Sequence, residues 1–271
     1  METPANYTEL NRQLWNAKTD YHVQSAFYDV ESFLGGKSSL NDVELGLLGD
    51  VRGKSVLHLQ CHFGQDSLSL SRLGAHVTGV DLADQAIAKA RELAAQLGLP
   101  AEFVCSDVYE LPRNLDRQFD IVFTTYGVLG WLPDLERWAS VVSHFLKPGG
   151  KLVLVEFHPV VWMFDNDFTR VQYSYFNREA ITEVETGTYA DRDAPLKQTS
   201  VSWNHDLGEV LGSLLHNDLT IKHFAEYDYS SYNCFAHMKQ VGERQYRIEH
   251  LAGKLPMMYS VVATKAAESP R

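Results

Sequence analysis

Between residues 51 and 157 the chain alternates short apolar runs with segments of helical spacing, and this alternation limits the possible folds more than any other feature. The run Ser55-Val56-Leu57-His58-Leu59 breaks at Gln60–Gly64, after which Ser67–Leu73 reads as a helix. Ala75–Val80 is a β-branched run ended by Asp81. Asp84 is placed to cap a helix with Ile87, Ala90, Ala94 and Leu97 at helical spacing and Gly98 closing it. Glu102–Cys105, Phe119–Thr124 and Lys151–Phe157 predict three more strands, the last behind a Pro148-Gly149-Gly150 turn. Strands that are apolar on both faces need cover on both sides, so they predict a parallel sheet between helical layers. Right-handed crossovers make it an open, doubly wound α/β sheet that binds ligands at the carboxyl ends of its strands. Farther on, Glu209–Leu215 reads as a helix, and Leu219–Phe224 and Met257–Thr264 complete a mostly parallel set of seven strands.

Two flanking regions are expected to lie over those strand ends. Residues 1–50, an N-terminal helical segment, carry Tyr7, Trp15, Tyr21, His22, Phe27 and Tyr28. Residues 158–200 are aromatic and acidic (Trp162, Phe164, Asp165, Asp167, Phe168, Tyr173), too long for a plain connection. They read as a cap inserted after the fifth strand or, alternatively, an extra edge hairpin. The expected organisation is therefore an N-terminal cap segment (1–50), a central core (51–157), a cap insertion (158–200), the end of the same domain (201–265) and a flexible tail (266–271).

Composition narrows the partners. With 45% hydrophobic and 11% aromatic residues, general disorder is excluded. Twenty-four Lys and Arg against 35 Asp and Glu leave a net charge of −11, which argues against a nucleic-acid groove. The polar first residues do not read as a signal peptide, and the longest apolar runs fall short of the ~20 residues that span a bilayer. Cys61, Cys105 and Cys234 are odd in number and far apart, as suits reduced thiols. The expectation is a cytoplasmic protein with a small-molecule partner, without nucleic acid or membrane. Nothing in the sequence specifies an oligomeric state.

The chemistry-bearing residues fall at strand ends. Gly64 allows a backbone to pass close to a ligand in the turn after the first strand. Asp81, 17 residues later at the end of the second strand, can accept from both hydroxyls of a ribose. Asp107, after Ser106 at the end of the third strand, can accept from an adenine amino group. The bland alternatives are a helix-terminal carboxylate for Asp81 and a turn residue for Asp107. A metal is not expected: His58, Cys61, His62 and Cys105 are suitable ligand types, but their spacing is not that of a zinc site.

Val56–Gly64, Val77–Asp81, Cys105-Ser106-Asp107, Phe119-Asp120-Ile121-Val122 and Leu146–Leu152 together resemble the class I S-adenosylmethionine-dependent methyltransferases, over roughly residues 51–157. The resemblance implies a Rossmann-like seven-stranded fold with S-adenosylmethionine as methyl donor, S-adenosylhomocysteine as product and a small-molecule acceptor. It places Asp81 on the ribose, Ser106 and Asp107 at the adenine, Leu82 and Val108 on its faces, and Leu59, Gln60, Cys61, Gly64 and Thr125 around the methionine portion. The first motif departs from the family: an acidic residue is usual where His58 stands, and glycines where Gln60 and His62 stand. The stretch His58-Leu59-Gln60-Cys61-His62-Phe63-Gly64 reads as a subgroup variant. Without a full Gly-x-Gly-x-x-Gly, a nicotinamide dinucleotide is disfavoured.

Methyl transfer is an in-line displacement that asks mainly for alignment and a dry pocket. Tyr126 and Trp131, after the fourth strand, are candidates for an aromatic wall beside the sulfonium, Trp131 equally for core packing. Tyr28 and Trp162 are further candidates for the acceptor pocket. His158, directly after the fifth strand, is the candidate base; the alternative is a turn residue satisfied by backbone groups. His205 is a weaker candidate. Two other function classes stay open: a cofactor-binding protein of this fold that transfers nothing, and a nicotinamide-dependent oxidoreductase.

Overall fold

Val56 and His58 point to one face of the first strand and Leu57 and Leu59 to the other, and all four are buried. Both faces of the sheet are therefore covered. In the computed structural model, which describes residues 4–267, the elements follow in the order α1 (Tyr7–Gln24), α2 (Val30–Leu34), α3 (Asp42–Leu48), β1 (Ser55–Leu59), α4 (Gln65–Arg72), β2 (His76–Asp81), α5 (Asp84–Leu97), β3 (Glu102–Cys105), α6 (Leu111–Asn114), β4 (Phe119–Thr125), α7 (Leu135–Phe145) and β5 (Leu146–Phe157). Then come β6 (Ile181–Thr186), β7 (Lys197–Ser202), α8 (Leu207–His216), β8 (Leu219–Tyr227), β9 (Met238–Gly242), β10 (Gln245–Ile248) and β11 (Met258–Lys265). From residue 268 on, the tail expected at 266–271 lies outside the described residues.

Seven strands form one sheet in the order β3-β2-β1-β4-β5-β11-β8. β1 to β5 pair in parallel, and β11 runs antiparallel between β5 and β8. The order reverses beside β1, where β2 and β4 flank it, and that switch point opens a crevice at the carboxyl ends of the strands. One apolar layer sets Leu57, Leu59, Val122, Leu152 and Leu154 against Trp138 and Phe145 of α7. The opposite layer sets Val56, Val77, Ile121, Phe123 and Val153 against Leu48 and Leu70. The mostly parallel, doubly wound sheet expected from the sequence is the fold observed.

Three local readings change. Asp84 does not cap α5: Ala83 holds that position, and the Asp84 carboxylate instead takes the Arg12 guanidinium (3.0 Å) and the Asn16 amide (2.8 Å) of α1. β5 begins at Leu146, so Pro148-Gly149-Gly150 lies inside the strand assignment, not before it. Residues 158–200 contain β6, which pairs with β7 in a hairpin separate from the main sheet. That hairpin is tied to α1 by the Asn11 side chain, which donates to the Val201 carbonyl (2.8 Å) and accepts its amide (3.0 Å). A second hairpin, β9–β10, fills the connection from β8 to β11; the sequence reading had no element there. Among the described residues, no helix is long and apolar enough to cross a membrane.

Candidate functional site

The turn after β1 is bound to the end of β2. The Cys61 amide donates to the Val80 carbonyl (2.9 Å), and Asp81 accepts from the His62 amide (2.8 Å) and the Ala83 amide (2.9 Å). Burial pushes the Asp81 carboxyl up to about 6 against these amide bonds. Gly64 has φ +81°, and a Cβ there would lie 2.7 Å from the Phe103 ring. Gln60 (φ +55°) and His62 (φ +51°) also take left-handed backbone, at the two positions where the resembled family has glycines. The loop thus keeps a glycine-type course while carrying two side chains, at a cost of order 1 kcal/mol or more per residue. Both side chains are engaged: the Gln60 amide donates to the Val128 carbonyl (2.9 Å), and His62 Nε2 meets His22 Nδ1 of α1 at 2.9 Å.

Gln60 Oε1, His62 Nδ1 and His22 Nε2 are buried without hydrogen-bond partners. Burial lowers His62 to about 3 and His22 to about 2, so near neutrality the pair shares one neutral N–H···N bond. His58, buried in β1, turns instead to the Ser67 hydroxyl of α4 (2.8 Å), and burial lowers it to about 3. The position that is acidic in the resembled family thus belongs to the strand–helix packing here.

The other expected cofactor residues sit at neighbouring strand ends. Asp107 accepts from the Tyr109 amide (2.6 Å) and starts a short helical turn containing Val108, as its turn-residue alternative anticipates. The Ser106 hydroxyl donates to the Asp107 carbonyl (2.9 Å) and accepts from Asn114 (2.9 Å). Leu59 and Cys61 are buried, and Leu82 is half-buried beside Asp81. Thr125 ends β4, its hydroxyl 3.4 Å from the Asp66 carboxylate.

The expected pocket aromatics are linked in one chain of ring contacts. Trp131 meets Trp15 (5.4 Å), Trp15 meets His62 (5.3 Å), and His62 meets Tyr28 (5.7 Å). Phe27 links Tyr28 (5.1 Å) to Tyr232 (5.7 Å), Tyr232 meets Tyr126 (5.0 Å), and Phe157 links Tyr126 (5.6 Å) to Trp162 (5.9 Å). The wall expected at Trp131 already holds a cation: Lys18 Nζ lies 6.0 Å from its ring and 5.2 Å from Trp15, paired with Glu185 at 2.6 Å. Tyr126, with φ +40°, turns its ring toward Tyr232 and Phe157.

His158 is placed otherwise than a free base requires. It is buried at the end of β5, with Nε2 on Glu226 Oε1 (2.9 Å) and Nδ1 accepting the Val160 amide (3.2 Å). Both ring nitrogens are engaged, one by a backbone amide and the other by a side-chain carboxylate. His205 bonds the Leu132 carbonyl through Nε2 (2.7 Å), while its Nδ1, 3.1 Å from Glu209, has no hydrogen-bond partner. Among the described residues, no group of three or more His, Cys, Asp or Glu is arranged to hold a metal ion.

Three carboxylates escaped the sequence reading. Glu156 is buried in β5 and accepts from the amides of Gly127, Val128 (2.7 Å), Leu129 (3.0 Å) and Phe157 (2.6 Å), fixing the loop after β4. Glu44 of α3, buried, and Asp66 of α4, half-buried, lie near Tyr126 and Tyr232. Desolvation pushes Glu44 up to about 7, helped by repulsion from Asp66. No local pattern marks a carboxylate as buried, so only the packing of α3 and β9–β10 over the strand ends exposes this cluster.

Residues 56–150 match the family model described as a methyltransferase domain. A ubiquinone biosynthesis O-methyltransferase of Idiomarina loihiensis is 32% identical over 134 residues, 48% of this chain and 55% of that protein. One of Coxiella burnetii is 37% identical over 102 residues, 38% of this chain and 43% of the other. The chain thus spans about half the length of the curated relatives it matches. Among solved structures, an S-adenosylmethionine-dependent methyltransferase from Mesorhizobium loti aligns with TM-score 0.59 and 22% identity, over 86% of this chain and 100% of the other. The [4+2]-cyclase SpnF aligns with TM-score 0.59 and 18% identity, over 96% and 97%. Likenesses this distant speak for the fold alone. Residues 56–150 are thus similar to a methyltransferase domain, on a sheet of the kind seen in solved S-adenosylmethionine-dependent methyltransferases.

Proposed function

We propose that the protein transfers a methyl group from S-adenosylmethionine to a small-molecule acceptor. The observation that carries this reading is the β1–α4 turn, held to Asp81 and following a glycine-type backbone course through Gln60 and His62. The donor set suits the cofactor. Each Asp81 oxygen takes one amide and keeps a lone pair for a ribose hydroxyl. Gln60 Oε1 and His62 Nδ1, buried and unpartnered, are available to polar groups of the methionine portion. Leu82 and Val108 are the side chains we assign to the adenine faces, with Ser106 and Asp107 at its edge.

When bound, the cofactor supplies the electrophilic methyl carbon, which the acceptor's lone pair attacks as the carbon–sulfur bond breaks and its electron pair stays on sulfur. The chain's own work is to align and to exclude water, through the aromatic chain from Trp15 to Trp162 and the Glu156 clamp on the loop after β4. His158 we assign to positioning that strand end, since both of its nitrogens are engaged. Calorimetric titration with S-adenosylmethionine and S-adenosylhomocysteine, with NAD as control, tests the reading. Micromolar binding of the first two and none of NAD is expected; failure of both to bind would overturn it.

A second reading, binding of the cofactor without methyl transfer, draws support from the fold shared with a [4+2]-cyclase and from the lack of a free imidazole at His158. Consumption of the methyl donor with an acceptor library separates the two.

A further inference from the structure

Glu44 has no exposed surface, yet among the described residues no cation is paired with it: its Oε1 takes the Asn41 amide (2.9 Å), and its Oε2 has no hydrogen-bond partner there. The chief charge acting on it is Asp66, which repels it. Asp66 is held by Thr125 at 3.4 Å and by Ser39, and the only cation acting appreciably on it is Arg244. That guanidinium is itself committed to the carbonyls of Ser39 (2.8 Å) and Leu40 (2.9 Å). Asn41 also donates to the Tyr232 hydroxyl (3.1 Å) and leaves its own buried Oδ1 unpartnered.

A buried carboxylate beside a half-buried one, neither with a dedicated counter-ion, is costly to keep. Thr125, at the end of β4, reaches Asp66, so the cluster adjoins the end of the expected cofactor crevice. Tyr126 and Tyr232 meet edge to face at 5.0 Å beside it. Aromatic faces, carboxylates and acceptors without donors together describe the surroundings that an ammonium group needs. The net charge of −11 draws cations toward the molecule as a whole.

We propose that the acceptor is a small basic molecule whose ammonium group binds at Glu44 and Asp66, against Tyr126 and Tyr232. This inference rests on the methyltransferase reading for the word acceptor but not for the binding site. The test is calorimetry on the full chain with matched pairs: tyramine against its uncharged alcohol tyrosol, and n-butylamine against 1-butanol. At least one amine is expected to bind tenfold or more tighter than its alcohol. Glu44→Gln and Asp66→Asn should each weaken that amine tenfold or more while S-adenosylmethionine still binds. Should neither amine bind, or an alcohol match its amine, the inference falls; it falls equally if both variants keep wild-type amine affinity. If a variant does not fold, the matched pairs on the wild-type chain decide alone. Loss of S-adenosylmethionine binding in the wild type would instead overturn the proposed function and leave the cation site standing.

Discussion

At the scale of single residues, the turn after β1 shows how a motif can change its letters and keep its geometry. Gln60 and His62 adopt the backbone that glycine adopts at no steric cost. Gln60→Gly should therefore keep the fold and cofactor affinity, the relieved strain offsetting the lost bond to Val128, while Gln60→Val should lose both. Thermal melts with and without S-adenosylmethionine check this. Gly64 has no such latitude: Gly64→Ala adds a strained φ and a Cβ against Phe103, and should cost about 2–4 kcal/mol in urea unfolding. Asp81 serves the turn as well as the expected ribose, so Asp81→Ala confounds stability with binding. Asp81→Asn keeps one acceptor oxygen for the two amides; it should weaken the cofactor tenfold or more and lower the Tm less than Asp81→Ala does. Asp81 and Gly64 were legible because strand ends and glycines are local signals. Glu44 and Asp66 were not, because burial is decided by elements far away in the chain.

Among elements, α1 joins the cap hairpin to the cofactor turn. Its Asn11 amide satisfies both backbone groups of Val201, in place of a neighbouring strand. Asn11→Leu leaves a buried N–H and C=O unpaired and should cost about 2–4 kcal/mol. Limited proteolysis should then cut first near the β6–β7 hairpin while the sheet remains protected. Two turns farther along, Lys18 pairs with Glu185 of β6, and one turn beyond that His22 meets His62. The sequence identified the region 158–200 as more than a connection. It could not place the hairpin against α1, because the pairing uses a side chain 190 residues away.

For the whole molecule, stability against pH combines terms of opposite sign. Glu44 is raised in the fold from 4.5 to about 7, so the folded state holds a proton that the unfolded state releases above 4.5. Stability from this group is present below 4.5 and lost as pH rises toward 7, by about 3 kcal/mol. The imidazoles of His22, His58 and His62 are lowered from 6.5, and their contribution is full above 6.5 and lost as pH falls toward 3. Glu44→Gln should thus be more stable than wild type at pH 8 and lose that advantage by pH 4.5, as urea midpoints at the two pH values would show. The sequence by itself determined the sheet, the order of its first five strands along the chain and the strand ends where a nucleotide-type ligand would lie. Those follow from apolar periodicity and turn residues, which act over a few positions. Only the tertiary structure decided which side chains meet above the strand ends: His22 on His62, Glu44 beside Asp66, Tyr232 on Tyr126, and His158 turned to Glu226. Each of these contacts except Glu44–Asp66 joins residues at least 40 positions apart, and they depend on how α1, α3 and the segment after β8 pack across the strand ends and on β8 lying beside β11 in the sheet. Packing of that range is set by the burial available to the molecule as a whole, which no local stretch of sequence encodes.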